Sequence, residues 1–342
     1  MQLFNHAKII VTMLVLVSLT ANCRPDAEIA LPQQGDWSAP QQVTGLSLGR
    51  PGSWDDADPG AVTPSTVVKR DGIYYLYYVG SDGKREIDQG PTHRKLGLAT
   101  STNGIDFIKY EGNPILSWSP ANNEEEGIFG AKALLVDDVI HLYINTMSAA
   151  DAGTDQVWAD VHLVTSNDGK NFSPPVLVLD HGNPEVVGSG DELGPTGIMQ
   201  KDGIWSLYYF AKGVVVGDWQ LCLATGESPS SFQETRLLLD EKAFFGAGGD
   251  INWLAANKIA MFFQKRNDWS RLEVYTAAAD SPGQLTKVRT WDGLARGEGM
   301  TVFLDHQAGQ WFMYNRIQAE DSKVYVRTAP LTYEPSSAEF FL

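Results

Sequence analysis

The sequence predicts an all-β fold, a five-bladed β-propeller of antiparallel blades, and three observations carry that prediction. An aromatic strand returns five times: Tyr74-Tyr75-Leu76-Tyr77-Tyr78, His141-Leu142-Tyr143-Ile144-Asn145, Ser206-Leu207-Tyr208-Tyr209-Phe210, Ala260-Met261-Phe262-Phe263-Gln264 and Trp311-Phe312-Met313-Tyr314-Asn315. The starts are separated by 67, 65, 54 and 51 residues. Each is followed by a second strand-like run, at residues 96–101, 161–166, 221–226, 272–277 and 324–329. Each is also preceded by an apolar run, such as Thr66-Val67-Val68 or Thr301-Val302-Phe303. Self-similarity at a period of tens of residues marks repeat architectures, and near-continuous apolar strands fit sheets covered on both faces. A two-sheet sandwich is the alternative architecture; it does not explain the recurrence of one strand order at this period.

The elements follow in order. The first and second strands of a unit are joined by the turn pairs Asp71-Gly72, Asp137-Asp138, Asp202-Gly203 and Ala308-Gly309, residue types that tolerate a positive φ. Fourth strands are expected after Asn103-Gly104, at residues 107–110, and after Asp168-Gly169, at residues 175–179. The expected organisation is an export signal over residues 1–23, an N-terminal linker over 24–44 and one propeller domain over 45–342. Lys8 is the sole formal charge in the signal, and residues 9–19 are mostly apolar but too short for a comfortable membrane span. The run ends at Thr20-Ala21-Asn22-Cys23, which resembles a bacterial lipoprotein signal whose cysteine is lipidated; an ordinary secretory signal cut nearby is the alternative. The expected location is periplasmic, cell-surface or secreted, with Cys23 the sole route to a membrane. The second cysteine, Cys222, lies in the apolar run Leu221-Cys222-Leu223-Ala224 and reads as a buried, inert thiol.

The charge balance is 26 Lys+Arg against 42 Asp+Glu, a formal net charge of −16. A surface this acidic repels phosphate backbones and argues against nucleic acid as a partner.

The first unit is the most informative. Pro64-Ser65-Thr66-Val67-Val68, Asp71-Gly72-Ile73-Tyr74-Tyr75-Leu76-Tyr77-Tyr78, Leu96-Gly97-Leu98-Ala99-Thr100-Ser101, Asn103-Gly104-Ile105-Asp106-Phe107 and Asn113-Pro114-Ile115-Leu116 follow in this order. This series resembles the first blade of the five-bladed glycoside hydrolases, the superfamily of arabinanases, xylosidases, invertases and levansucrases. The resemblance extends over roughly residues 45–332. It implies an active site at the axial mouth, with three carboxylates from the innermost strands of the first three blades. The chain departs from the arabinanase-like pattern at two places: Thr63 stands where those families have Asp, and Leu193 where they have Glu, with Glu192 one place before.

Each unit nonetheless carries an acid just before its first strand: Asp55, Asp56 and Asp58, then Glu126, then Asp191 and Glu192, then Asp250 and Glu298. If the first strand is innermost, its entry and the exit of the antiparallel second strand share one rim. Those exits carry Asn145, Lys212, Arg266, Asn315 and Arg316. Glycosidic cleavage needs one carboxylic acid to protonate the leaving oxygen and one carboxylate to activate water or attack C1. Glu192 is assigned as general acid, Asp58 as base or nucleophile and Glu126 as the residue that orients substrate or tunes the acid. Asp55, Asp250, Arg266, Glu298 and Arg316 are candidate substrate-binding groups. For any one acid, a turn-capping role is equally consistent with its position, and Arg266 and Arg316 could simply pair with Asp250 and Glu298. Trp54 and Trp118 could stack on sugar rings or pack between blades, and His93 sits in a loop long enough to reach the mouth. His141 and His162 fall within strands and read as structural. No metal or organic cofactor is implied; the acids are compatible with a structural Ca²⁺ in the channel, though no loop has a dedicated ligand spacing.

The function these readings imply is an exported glycoside hydrolase acting on an oligo- or polysaccharide. A non-catalytic carbohydrate-binding propeller and a purely structural propeller are the alternatives, because a fold does not fix a function.

Overall fold

The computed structural model describes residues 27–56, 62–83, 94–118, 127–149, 157–188, 192–212, 219–240, 244–245, 250–265, 268–294, 299–317 and 323–334. Among these residues the regular elements are strands, apart from one 3-10 turn at Gln34–Asp36. Two short strands, β1 (Ile29–Ala30) and β2 (Gln41–Gln42), precede the repeats. Unit one is the meander β3 (Thr63–Arg70), β4 (Ile73–Ser81), β5 (Arg94–Ser101) and β6 (Ile108–Lys109). Unit two is β7 (Gly127–Val136), β8 (Val139–Ala149), β9 (Val157–Ser166) and β10 (Val176–Leu179). Unit three is β11 (Glu192–Lys201), β12 (Ile204–Lys212), β13 (Trp219–Gly226) and β14 (Glu234–Asp240). Unit four holds β15 (Phe244–Phe245), β16 (Ile251–Ala255), β17 (Lys258–Lys265), β18 (Asp268–Ala278) and β19 (Thr286–Asp292). Unit five is β20 (Met300–Asp305), β21 (Gln310–Ile317) and β22 (Lys323–Pro330), followed by β23 (Thr332–Tyr333).

The first strands of the units neighbour one another in a closed cycle: β3 with β7, β7 with β11, β11 with β16, β16 with β20 and β20 with β3. That cycle makes them the inner strands around an axis, the arrangement of a β-propeller. The expected turns form as the residue types dictate. Asp71 and Gly72, Asp137 and Asp138, and Asp202 and Gly203 all have positive φ, as a two-residue turn matched to strand twist requires. In units one to three the inner strand carries a bulge that leaves Ser65, Phe129 and Thr196 out of register with the second strand. A bulge re-aims its side chain. Ser65 Oγ accepts from the Ala131 amide at 2.7 Å and donates to the Ala131 carbonyl at 3.0 Å, which joins unit one to unit two.

The aromatic second strands hold neighbouring units together. Four residues beyond the hairpin pairs Arg70↔Ile73, Val136↔Val139, Lys201↔Ile204, Ala255↔Lys258 and Asp305↔Gln310 lie Tyr77, Tyr143, Tyr208, Phe262 and Tyr314. Each of the four tyrosines donates to a carbonyl in the turn between the third and fourth strands of the next unit. Tyr77 reaches Gly169 at 3.1 Å, Tyr143 reaches Pro229 at 2.7 Å, Tyr208 reaches Pro282 at 2.6 Å and Tyr314 reaches Gly104 at 2.8 Å. Phe262 has no hydroxyl; it packs between Trp291 and Trp311, each with ring centroids 5.7 Å away.

Residues 27–46, most of which the sequence assigns to a linker, are built into the propeller. β2 pairs with β22 as the outermost strand of unit five, and β1 pairs with β23. Ile29, Leu31 and Trp37 are buried in one cluster with Phe262, Trp291 and Trp311, and Val43 and Leu46 in another between units one and five. The few apolar residues of this segment supply the cause, since they have a hydrophobic surface to cover. Cys222 is fully buried and forms no disulfide, as its apolar run predicts. Among the described residues no helix is long and apolar enough to cross a membrane.

Candidate active site

The rim where inner strands begin and second strands end carries a connected set of polar side chains. Glu192 is the first residue of β11 and pairs in register with Lys212, the last residue of β12. Lys212 Nζ donates to Glu192 Oε1 at 2.6 Å, and Glu192 is 8% exposed. The next residue, Leu193, is tied to unit two: Asn145 Nδ2, on the outgoing end of β8, donates to its carbonyl. Thr146 Oγ1 lies 3.0 Å from His162 Nδ1, and the His162 ring packs on Trp118 with centroids 4.5 Å apart. Glu192, Lys212, Asn145, Thr146, His162 and Trp118 thus form an arc from unit three across unit two to the segment that leaves unit one. Burial holds the His162 imidazole below its ordinary value, against the opposing pull of Asp160 and Asp180, so the ring is neutral near pH 7.

An ion pair crosses the axis. Lys132 on β7 donates to the Ser65 carbonyl of β3 at 2.9 Å and to Asp250 Oδ1, at the entry to β16, at 2.8 Å. Asp250 Oδ2 accepts the Val302 amide of β20 at 2.9 Å. Units one, two, four and five therefore meet at one lysine and one aspartate. Burial pushes the Asp250 carboxyl up, and Lys132 and the hydrogen bonds pull it down. Asn252 repeats the link one layer further in, accepting from the Leu304 amide at 2.8 Å and donating to the Val302 carbonyl at 3.1 Å.

The predicted site residues divide accordingly. Glu192 is on the rim, and Trp118 packs against the apolar cluster between units one and two. Asp250 is on the axis but is engaged by Lys132 and β20 rather than presented to a ligand. Its partner is an ammonium, so this point of the channel does not fit a Ca²⁺, which needs a shell of oxygens. Asp55 and Trp54 pack within unit one. Asp55 is buried between Ser53 (3.0 Å), Tyr78 (3.2 Å) and Lys109 on the outermost strand (2.6 Å). Trp54 stacks on Tyr78 at 5.7 Å, lying over Gly80 and Gly97, where a Cβ would meet its ring at 2.3 and 2.9 Å. An acid ahead of a strand has here found a lysine of the same unit instead of the channel. Arg316 is fully buried at the end of β21. Asp58, His93, Glu126, Arg266 and Glu298 lie outside the described residues. Lys132 is the axial residue that the sequence reading passes over, although a lysine inside Gly130-Ala131-Lys132-Ala133-Leu134 is itself a signal, since strand-core lysines require a partner.

This architecture is shared with known structures. The chain superposes on a glycosyl hydrolase from Bacteroides ovatus with a TM-score of 0.57 and 14% identity, covering 90% of this chain and 100% of that one. It superposes on a beta-xylosidase with a TM-score of 0.58 and 13% identity, over 87% and 96% of the two chains. An N-acetylgalactosamine deacetylase from F. plautii gives a TM-score of 0.57 and 15% identity, over 86% and 96%. The fold is that of these carbohydrate-active proteins. No family model matches the sequence and no curated protein matches it. The similarity is one of backbone and not of sequence, and the three neighbours do not share one reaction.

Proposed function

We propose that the protein is an exported glycoside hydrolase that cleaves an oligo- or polysaccharide at the rim bearing Glu192. The observation that carries this reading is the Glu192–Lys212 pair at the mouth of a propeller whose structural neighbours include a glycosyl hydrolase and a xylosidase. A carboxylate with an ammonium on one oxygen suits a group that activates water or attacks C1. That role replaces the proton-donor role assigned to Glu192 from sequence, and Asp58 and Glu126 complete the carboxylate set, one of them as acid. The part-buried indole of Trp118, beside the neutral His162, is the candidate platform for a sugar ring. Residues 1–23, and lipidation at Cys23 if the lipoprotein signal is used, would place the enzyme outside the cytoplasm.

The test is turnover on a panel of aryl glycosides and plant, algal and fructan glycans. Glu192→Gln, Asp58→Asn and Glu126→Gln should each lower kcat by about 10²–10⁴-fold on the substrate found. Wild-type rates in all three would refute the assignment. Thr63 and Leu193, standing where related hydrolases have acids, favour a second reading, a carbohydrate-binding propeller without turnover. Glycan binding without hydrolysis, unchanged in Glu192→Gln, would support it.

A further inference from the structure

Buried acids in this protein follow a rule. Asp55 is paired with Lys109, Glu192 with Lys212, Asp250 with Lys132, Glu273 with Lys287 and Asp305 with Lys69. Asp160 and Asp180 are only half-buried and are held differently. Among the described residues no lysine or arginine pairs with either, and what they share is an imidazole. One oxygen of each carboxylate and one nitrogen of His181 lie within 4.8 Å of one another. His181 Nδ1 is 2.8 Å from Asp160 Oδ1 and 3.9 Å from Asp180 Oδ1. The cluster is built rather than incidental: the His181 amide also donates to Asp160 Oδ1 at 2.8 Å, and Trp158 stacks on the imidazole at 4.8 Å. His162 stands two residues from Asp160 on the same face of β9 and is 8% exposed.

We propose that Asp160, Asp180 and His181 bind a divalent first-row transition ion, zinc or manganese. An ion about 2.1 Å from each ligand sets ligand atoms roughly 3.0–3.4 Å apart in octahedral or tetrahedral geometry, and the two distances from His181 bracket that span. Two carboxylates balance the charge of a divalent ion. One imidazole among the donors selects against calcium and magnesium, which take oxygen shells. The site joins the segment 180–188 to β9, one strand outward from Glu192, whose backbone bridges to Ala159. It is distinct from the axial Asp250 and from the Glu192–Lys212 pair.

The full chain, stripped with a chelator and dialysed, is titrated calorimetrically with zinc and with manganese, each alone. The wild type should bind one equivalent of at least one of them and gain thermal stability as it does so. Asp160→Asn and His181→Ala should weaken that binding by about tenfold or more, while Glu192→Gln leaves it unchanged. Less than one equivalent of both ions on the wild type overturns the proposal without reference to any variant. Unaltered affinity in both folded variants, checked by circular dichroism, also overturns it.

Discussion

Lys132 shows how one side chain organises this molecule. It is 5% exposed and its ammonium holds the Ser65 carbonyl and Asp250, so three units depend on its charge. Removing one member of a buried pair leaves the other desolvated and unmatched, at a cost of about 3–5 kcal/mol. Lys132→Met should lose stability of that order in denaturant melts, and the double variant with Asp250→Leu should recover most of it. Equal losses in the single and double variants would show that the pair is not the source. The same scale explains which site residues were legible. The place of Glu192 at a strand entry was legible because it is a local property, visible in Asp191-Glu192-Leu193-Gly194-Pro195. Asp55 shares that local property, but its fate was decided by Lys109, 54 residues away in sequence, and no local pattern records such a partner. The ammonium beside Glu192 was hidden for the same reason, because Lys212 reaches it across a hairpin.

At the scale of the strand, the repeated aromatic run has a second use beyond filling the space between sheets. Its tyrosine at one fixed register donates to the next unit, and burial holds the Tyr77, Tyr143 and Tyr208 phenols far above their ordinary value, so they remain donors at any pH at which the protein folds. Tyr143→Phe should cost about 0.5–1.5 kcal/mol, the net worth of one hydrogen bond, measured as a shift in denaturant midpoint with an unchanged slope. Strand order and turn positions were readable because each recurs with the unit. The N-terminal segment was not, because Ile29, Leu31 and Trp37 are too sparse to form a pattern until Trp291 and Trp311 supply the surface they cover. Trp37→Ala should therefore behave as a core truncation and cost about 3–5 kcal/mol. A loss below 1 kcal/mol, on the order of a surface change, would show the segment to be loosely attached.

The whole molecule carries an acid sensitivity with a calculable sign. Burial depresses the His141 and His306 imidazoles below their ordinary value of about 6.5. Between that value and the depressed one, the unfolded chain binds protons that the folded chain does not, so stability falls as pH drops through about 6.5. Asp305, held below the usual carboxylate range by Lys69, Tyr74 and the turn amides against burial, adds a further loss at lower pH. Urea midpoints should fall between about pH 7 and pH 5, and His141→Gln should flatten that slope; the same slope in both proteins would assign the sensitivity elsewhere. The aromatic register has a last consequence at this scale. Four of its hydroxyls close junctions in chain order, and at the remaining one, from unit four to unit five, Phe262 and two indoles stand in their place with Trp37 packed against Trp291 at 5.7 Å. The segment bearing Trp37 precedes unit one in the chain, and the strands it seals follow unit three. Units one to three can therefore assemble while synthesis continues, whereas closure waits on the final unit, so that a nascent chain halted before β21 is an open arc holding its own clasp.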